Sequence, residues 1–221
     1  MKKLVIFGNR AFAEIAHYYF AGEGGREVVA FTVDAAYLVE PTSKGLPVVA
    51  FEEVVRSFPP DEHEMFVAVG VGGVNRARAA KVAEAEALGY RLASFLSSKA
   101  DIAPDLVIGP NTMVMERAGI QPFVTIGRDS IIWSATRVGF HSKIGDHCWI
   151  TCPILGESVE IGDYTFVGLN ATIAPNVRIG RSNVIGAGAL ILGNTADDAV
   201  YPGHASTPSR VPSHRLRRFR S

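Results

Sequence analysis

"VEIGDYTFVGLNATIAPNVRIG", residues 159–180, carries an aliphatic residue at every sixth position: Ile161, Val167, Ile173 and Ile179. A helix repeats every 3.6 residues and a strand every 2, so neither produces this spacing. Upstream the same rhythm runs through Ile102, Ile108, Val114, Ile120, Ile126, Ile132, Val138, Ile144 and Ile150. It slips by one residue in "TCPILGES" (151–158), where Pro153 interrupts it, and resumes at Leu155, continuing to Ile185 and Ile191. Small residues recur two places before the aliphatic (Thr112, Ser130, Ser142, Thr165), and glycine often follows it (Gly109, Gly127, Gly139, Gly145). A hexapeptide repeat of this kind implies a parallel β-helix, each hexad forming one flat face of a coil with its aliphatic inward. Glycine is expected to meet the backbone demands of the turn between faces. The repeat identifies a scaffold and leaves the chemistry open.

Residues 1–98 have a different rhythm. "KLVIFG" (3–8), "REVVAFTVD" (26–34), "MFVAVG" (65–70) and "YRLASFL" (90–96) read as strands. "AFAEIAHYYFA" (11–21), "FEEVVRSF" (51–58) and "NRARAAKVAEAEALG" (75–89) read as helices. Strands separated by helices imply βαβ units and a small Rossmann-like parallel sheet. The expected organisation is an α/β domain over 1–98, a β-helix over 99–200, and a capping segment with a basic tail over 201–221.

Bulk composition excludes several classes. Lys+Arg and Asp+Glu both number 22, so the formal net charge is zero and broad capture of nucleic acid or an anionic membrane is not expected. The tail "SHRLRRFRS" concentrates Arg215, Arg217, Arg218 and Arg220, and reads as a solvated terminus or a contact for an anionic ligand. No segment approaches the roughly 18 apolar residues of a membrane span. Cys148 and Cys152 do not suggest a disulfide framework, so a reducing cytoplasm is the expected location.

With "HSKIGDHCWI", "VEIGDYTFVGLNATIAPNVRIG" and "NVIGAGALIL" in the repeat, and "KLVIFGNRAFAEIA" and "VVAFTVD" before it, the chain resembles the left-handed β-helix acyltransferases. Within them it is most similar to bacterial nucleotide-sugar N-acetyltransferases and sialic acid O-acetyltransferases. The resemblance implies a left-handed parallel β-helix, a homotrimer, and acetyl-CoA bound in a groove between neighbouring prisms. It further implies a histidine as general base and an N-terminal domain that holds a nucleotide-linked amino sugar. Transfer to a sugar hydroxyl is the alternative activity. A metal-dependent enzyme of the γ-carbonic-anhydrase kind and a non-catalytic nucleotide-binding subunit are further alternatives.

Two histidines stand in "VGFHSKIGDHCWI" (138–150), each three residues before an inward aliphatic. Six residues and a turn apart, His141 and His147 point from different parts of the prism and cannot share one metal within a chain, so no metal is expected. Imidazole titrates near working pH and suits proton removal from an attacking amine. His141 lies where the resembled family places its base. The carboxylate that usually follows is replaced by Ser142, and Asp146 is a candidate substitute. His147 is the other candidate base, and either histidine could be a polar surface residue. By the same resemblance Gly156 is a candidate amide donor to the thioester oxygen. Gly168, Gly186, Ala187, Gly188, Gly203, Ala205 and Arg210 are candidates for the acetyl-CoA site.

In the N-terminal half, "FGNRAFAE" lacks the second and third glycines of a dinucleotide fingerprint, having Arg10 and Ala13 there, so NAD is not expected. Strand ends are where such sheets bind ligands. Gly8, Asn9, Arg10, Asp34, Gly70 and Gly72 are therefore the candidate acceptor-binding residues.

Overall fold

The computed structural model describes residues 2–203 and 205–215. His204 and the tail arginines Arg217, Arg218 and Arg220 lie outside the described residues. The N-terminal unit runs β1 (Lys3–Phe7), α1 (Ala11–Ala21), β2 (Val28–Val33), β3 (Thr42–Ser43), β4 (Leu46–Ala50), α2 (Val54–Ser57), β5 (His63–Val67), α3 (Arg76–Ala87) and β6 (Arg91–Leu92). Strands β4-β2-β1-β5-β6 are parallel, and β3 adds an antiparallel edge. Alternation along β1 fixes which helix covers which face. Leu4 and Ile6 pack with Ala13, Ala16 and Phe20 of α1, whereas Val5 and Phe7 pack with Val54 of α2 and Val82 and Ala85 of α3.

Strand β4 was not among the expected elements. It is short, contains Pro47, and is reached by a tight turn in which Lys44 and Gly45 have φ of 51° and 77°. "YRLASFL" is not one strand but two. Arg91–Leu92 ends the α/β sheet, while Phe95–Leu96 pairs with Met113–Val114 and opens the β-helix. Leu96 stands six residues before Ile102, so the repeat begins one hexad earlier than the expected boundary at 99.

The β-helix has three parallel faces. The first runs from Phe95–Leu96 to Val200–Tyr201, the second from Asp101–Ile102 to Leu190–Ile191, and the third from Val107–Ile108 to Arg178–Ile179. Inward aliphatics from Val114 to Ile191 form one continuous buried stack. The small-residue column is explained by its hydroxyls. Ser130 Oγ accepts the Cys148 N–H at 3.0 Å and donates to the Gly145 carbonyl at 2.9 Å, and Ser142 does the same for Val159 and Gly156. Each buried hydroxyl thus ties one coil to the next.

The glycines serve a purpose other than the expected one. The left-handed residue of each turn is the third after the aliphatic, as in Asp129, His141, His147 and Tyr164, with φ between 52° and 61°. Glycine one place after the aliphatic is required by close stacking instead: a Cβ on Gly139 would approach the Gly156 carbonyl carbon to 2.5 Å, and one on Gly156 would approach Pro175 N to 2.6 Å. The phase slip is absorbed in a turn. Trp149 pairs with Phe166, 17 residues on, where Ile131 pairs with Trp149, 18 on. Cys152 takes the left-handed position (φ 49°) two residues after Ile150 instead of three, leaving the strands regular.

The two units are joined by buried polar groups. Arg78, on α3, is fully buried and donates from Nε to Asp129 Oδ1 at 2.9 Å and from a terminal nitrogen to the Asp129 carbonyl at 2.9 Å. Burial pushes the Arg78 guanidinium below its ordinary value, and the Asp129 carboxylate opposes this. Asn111 donates to Asp129 Oδ1 at 2.7 Å and exchanges hydrogen bonds with the Val67 backbone at the end of β5. Asn75 donates to the Tyr164 carbonyl at 3.1 Å. On α1, the Tyr19 hydroxyl donates to Glu116, which also accepts from Ser134 Oγ at 2.9 Å. Burial and then the Glu116 carboxylate push the Tyr19 phenol up to about 12. Removing one member of a buried ion pair strands the other. Arg78→Met should therefore cost about 3–5 kcal/mol of stability, and the double change Arg78→Met with Asp129→Asn, which removes the stranded charge but keeps a partner for Asn111 and His147 and tolerates the left-handed turn, should recover part of it. Equilibrium denaturation in urea measures both; equal stability of Arg78→Met and wild type would show that the pair does not hold the units together.

Candidate functional site

The C-terminal edge of the α/β sheet carries the candidate acceptor turns. Gly8 has φ 116°, and a Cβ there would lie 2.8 Å from the Ala68 carbonyl oxygen, so this glycine lets the first turn pack against the chain leaving β5. Asn9 is half-buried and Arg10 exposed, at the start of α1. Asp34 accepts from Lys81 Nζ at 2.7 Å, so one of its oxygens is engaged within the chain. Gly70 and Gly72 lie in the turn after β5, where Gly73, Val74 and Asn75 all have φ between 53° and 65°. A β-branched residue in this region is a genuine outlier. It is held there because Asn75 is fully buried against the β-helix. Such strain clusters at ligand-binding turns, and the adjoining glycines and asparagine in "GVGGVNR" were its sequence signal.

A cavity of about 500 Å³ lies where that turn meets the β-helix. Ala11, Phe12 and Ile15 of α1 with Gly70 and Val71 form one side. Trp133, Trp149, Thr151, Phe166, Gly168, Leu169 and Ala187 form the other. Its lining is almost entirely apolar, and its aromatic rings are in contact: Phe12 and Trp149 centroids are 4.9 Å apart, Trp133 and Trp149 centroids 5.7 Å. The cavity thus unites Gly70, a candidate acceptor residue, with Gly168 and Ala187, candidates for the donor site. The remaining candidates do not line it. Gly186 and Gly203 have a stacking role of their own, since a Cβ on Gly186 would approach Gly203 N to 2.6 Å and one on Gly203 would overlap the Ala187 carbonyl oxygen. Gly188 is a left-handed turn residue (φ 68°), and Ala205 and Arg210 are exposed on the closing segment.

Gly156 is the clearest departure from expectation. Its N–H, expected to face a thioester oxygen, donates to the Ile173 carbonyl at 2.9 Å as part of the coil ladder. It is not free to bind an oxyanion.

The two histidines occupy matching turn positions on different corners. His141 is exposed; its ring stacks on Phe123 (centroids 4.6 Å, 15°) and meets the edge of Phe140. Asp146 does not serve it: Asp146 Oδ1 accepts the Arg128 N–H at 2.9 Å. The carboxylate goes to the other histidine. His147 Nδ1 is 2.8 Å from the fully buried Asp129 Oδ2, and its ring stacks on Tyr164 at 4.8 Å. Asp129 precedes His147 by 18 residues, one coil, so the period itself held the signal. His147 also lines a cleft of about 410 Å³ with Arg76, Arg128 and Tyr164, which shares no residue with the larger cavity. Among the described residues no three His, Cys, Asp or Glu side chains are grouped to hold a metal ion, and no helix is long and apolar enough to cross a membrane.

Comparisons with known proteins agree with this architecture. The solved structure of a point variant of perosamine N-acetyltransferase from Caulobacter crescentus, in complex with CoA and GDP-perosamine, superposes with a TM-score of 0.80 at 24% identity, covering 90% of this chain and 93% of that one. The acetyltransferase domain of PglB from Neisseria gonorrhoeae gives a TM-score of 0.80 at 23% identity, covering 90% and 96%. Among curated sequences, the bifunctional protein GlmU of Zymomonas mobilis is 32% identical over 119 residues, 48% of this chain and 26% of that protein. The chain therefore spans about a quarter of the length of that relative. The bacterial transferase hexapeptide family (six repeats) matches residues 105–139 and 158–193, within the coils described above. These two stretches of the β-helix are thus similar to the repeats of the bacterial transferase hexapeptide family.

Proposed function

We propose that the protein transfers acetyl from acetyl-CoA to an amino group of a nucleotide-linked amino sugar. The observation that carries the reading is the cavity in which the glycine turn after β5 faces the small residues Gly168 and Ala187 of the β-helix. A turn at the C-terminal end of a parallel strand suits a nucleotide-bearing acceptor. A strip without long side chains suits the extended arm of CoA, and two solved relatives of the same fold hold CoA with GDP-perosamine or acetyl coenzyme A. In this reading the N-terminal unit is a Rossmann-like acceptor domain using Gly8, Asn9, Arg10 and Gly70, and the prism is a left-handed β-helix.

The chemistry is direct transfer. The amine lone pair attacks the thioester carbonyl and forms the C–N bond. His141 takes the amine proton as charge builds on nitrogen, the C–S bond breaks, and the CoA sulfur leaves with that proton. Within one chain His141 does not line the cavity. A homotrimer supplies it from a neighbouring copy. The exposed Phe123 and Phe140 around His141 and the 55% exposed Leu169 at the cavity rim offer apolar surface at both sides of such a contact. A second reading gives the base to His147, because Asp129 fixes its ring and leaves Nε2 without a hydrogen-bond partner among the described residues.

Free-thiol release from acetyl-CoA with a panel of nucleotide amino sugars tests the activity; turnover only with hydroxyl acceptors would reassign it to O-acetylation. His141→Ala should fold normally and lose 10²–10⁴-fold in rate, about 3–5 kcal/mol of barrier. His147→Ala should lower stability, since it removes a partner of the buried Asp129, and leave turnover per folded molecule within a few-fold. The reverse pattern in the two variants would make His147 the base.

A further inference from the structure

Asp34 follows β2 and opens a single 3₁₀ turn, Ala35–Tyr37, yet its carboxylate does not cap that turn. An aspartate in this position ordinarily accepts from the amides of the turn with its side chain. Here Tyr37 N–H bonds the Asp34 backbone carbonyl at 2.8 Å, and the Glu52 carboxylate takes the Ala35 N–H at 3.0 Å. The Asp34 side chain is left for other partners. Oδ1 accepts from Lys81 Nζ at 2.7 Å, whereas Oδ2 has no partner among the described residues and is open to solvent, the side chain being 31% exposed. Lys81 is fully engaged in turn. It reaches the sheet edge from α3, donates to Glu84 at 2.6 Å, and holds its ammonium 5.1 Å from the Phe7 ring centre and 4.8 Å from that of Phe51. The lysine thus clamps one carboxylate oxygen and leaves the other at the C-terminal edge of the sheet. Gly8 N–H bonds the Thr32 carbonyl at 2.8 Å, which sets the first glycine turn beside the strand that ends at Asp34.

We propose that Lys81 and Asp34 form a ribose-reading pair, in which Lys81 fixes Oδ1 and Oδ2 accepts from the ribose 2′-hydroxyl of the acceptor nucleotide. The acceptor is then a ribonucleotide conjugate and not a 2′-deoxynucleotide one. This deepens the acceptor reading above and rests on it. An ionised carboxylate only accepts hydrogen bonds, so it selects a hydroxyl and repels a phosphate. Ligands of parallel sheets lie beyond the carboxyl ends of the strands, with phosphates at the first glycine turn and the ribose at an acidic residue ending the next strand. Gly8 and Asp34 hold those two places. Lys81 acts as a positioning residue. A carboxylate free to rotate would have to be ordered by the ligand, whereas one clamped through Oδ1 presents Oδ2 in advance. Its engagement with two carboxylates and two rings also keeps Lys81 itself from serving as a phosphate ligand.

Calorimetric titration of the whole protein with GDP, UDP and ADP, each against its 2′-deoxy form, and with CoA provides the test. Wild type should bind the ribonucleotide of its preferred base roughly tenfold more tightly than the deoxy form, the fold-change of one lost hydrogen bond to a charged group. Asp34→Ala should bind the two forms alike. Lys81→Met keeps an apolar stem beside the two rings and releases the carboxylate. It should lower the ratio about threefold, the cost of ordering one side chain on binding, and Lys81→Arg should keep the ratio of wild type. A lysine that only supports the fold would move both nucleotide forms together, so an unchanged ratio in Lys81→Met would overturn its positioning role. CoA affinity should be the same in every variant, because both residues lie on the α/β unit. Equal affinity of wild type for the two forms would overturn the proposal and leave the nucleotide-acceptor reading standing, with the carboxylate then serving the base. If wild type binds CoA but no nucleotide, that reading fails and the ribose pair fails with it.

Discussion

Every coil of the prism is hydrogen-bonded to the coil 16 to 18 residues away, and this register governs the rest of the molecule. Because the register is fixed, side chains at one position of the hexad form columns, and a column concentrates one kind of chemistry. The inward position gives a continuous aliphatic stack. The small-residue position gives hydroxyls that tie successive coils, and the position after the aliphatic is glycine where the next coil presses against it. The third position gives the corner ladder Asn111, Asp129, His147 and Tyr164, in which each member touches the next.

That corner is also where the α/β unit docks. Asn75 and Arg78 at the start of α3 bond carbonyls and carboxylate of the ladder, so the strained Gly73–Val74–Asn75 turn is held by the β-helix as well as by its own backbone bond from Asn75 N–H to the Val71 carbonyl at 3.2 Å. The site described above therefore depends on both units at once. The turn that bears Gly70 keeps its shape because Asn75 is anchored, and the cavity exists because the same docking brings α1 against Trp133 and Trp149.

The period of six was enough to read the prism from the sequence, including the inward residues and the slip near Pro153. It was enough because a parallel coil repeats its backbone environment strictly. The α/β elements were legible where they were long. The short β4 was not, since Pro47 and five residues give no clear pattern. The site was harder to read. Asp146, adjacent in sequence, looked like the histidine's carboxylate, whereas the coil spacing assigns Asp129 to His147. Gly156 looked free because a single sequence does not show which amides a ladder consumes.

The same geometry imposes an order of assembly. Paired strands of successive coils are only 16 to 18 residues apart, so loop closure for each is cheap, and growth can start at any coil and spread in both directions. The docking bonds reach much further: 51 residues from Arg78 to Asp129 and 89 from Asn75 to Tyr164. Their closure becomes affordable only after the coils containing Asp129 and Tyr164 exist as a template. The left-handed turn at Val74 is thus fixed in part by the segment made after it.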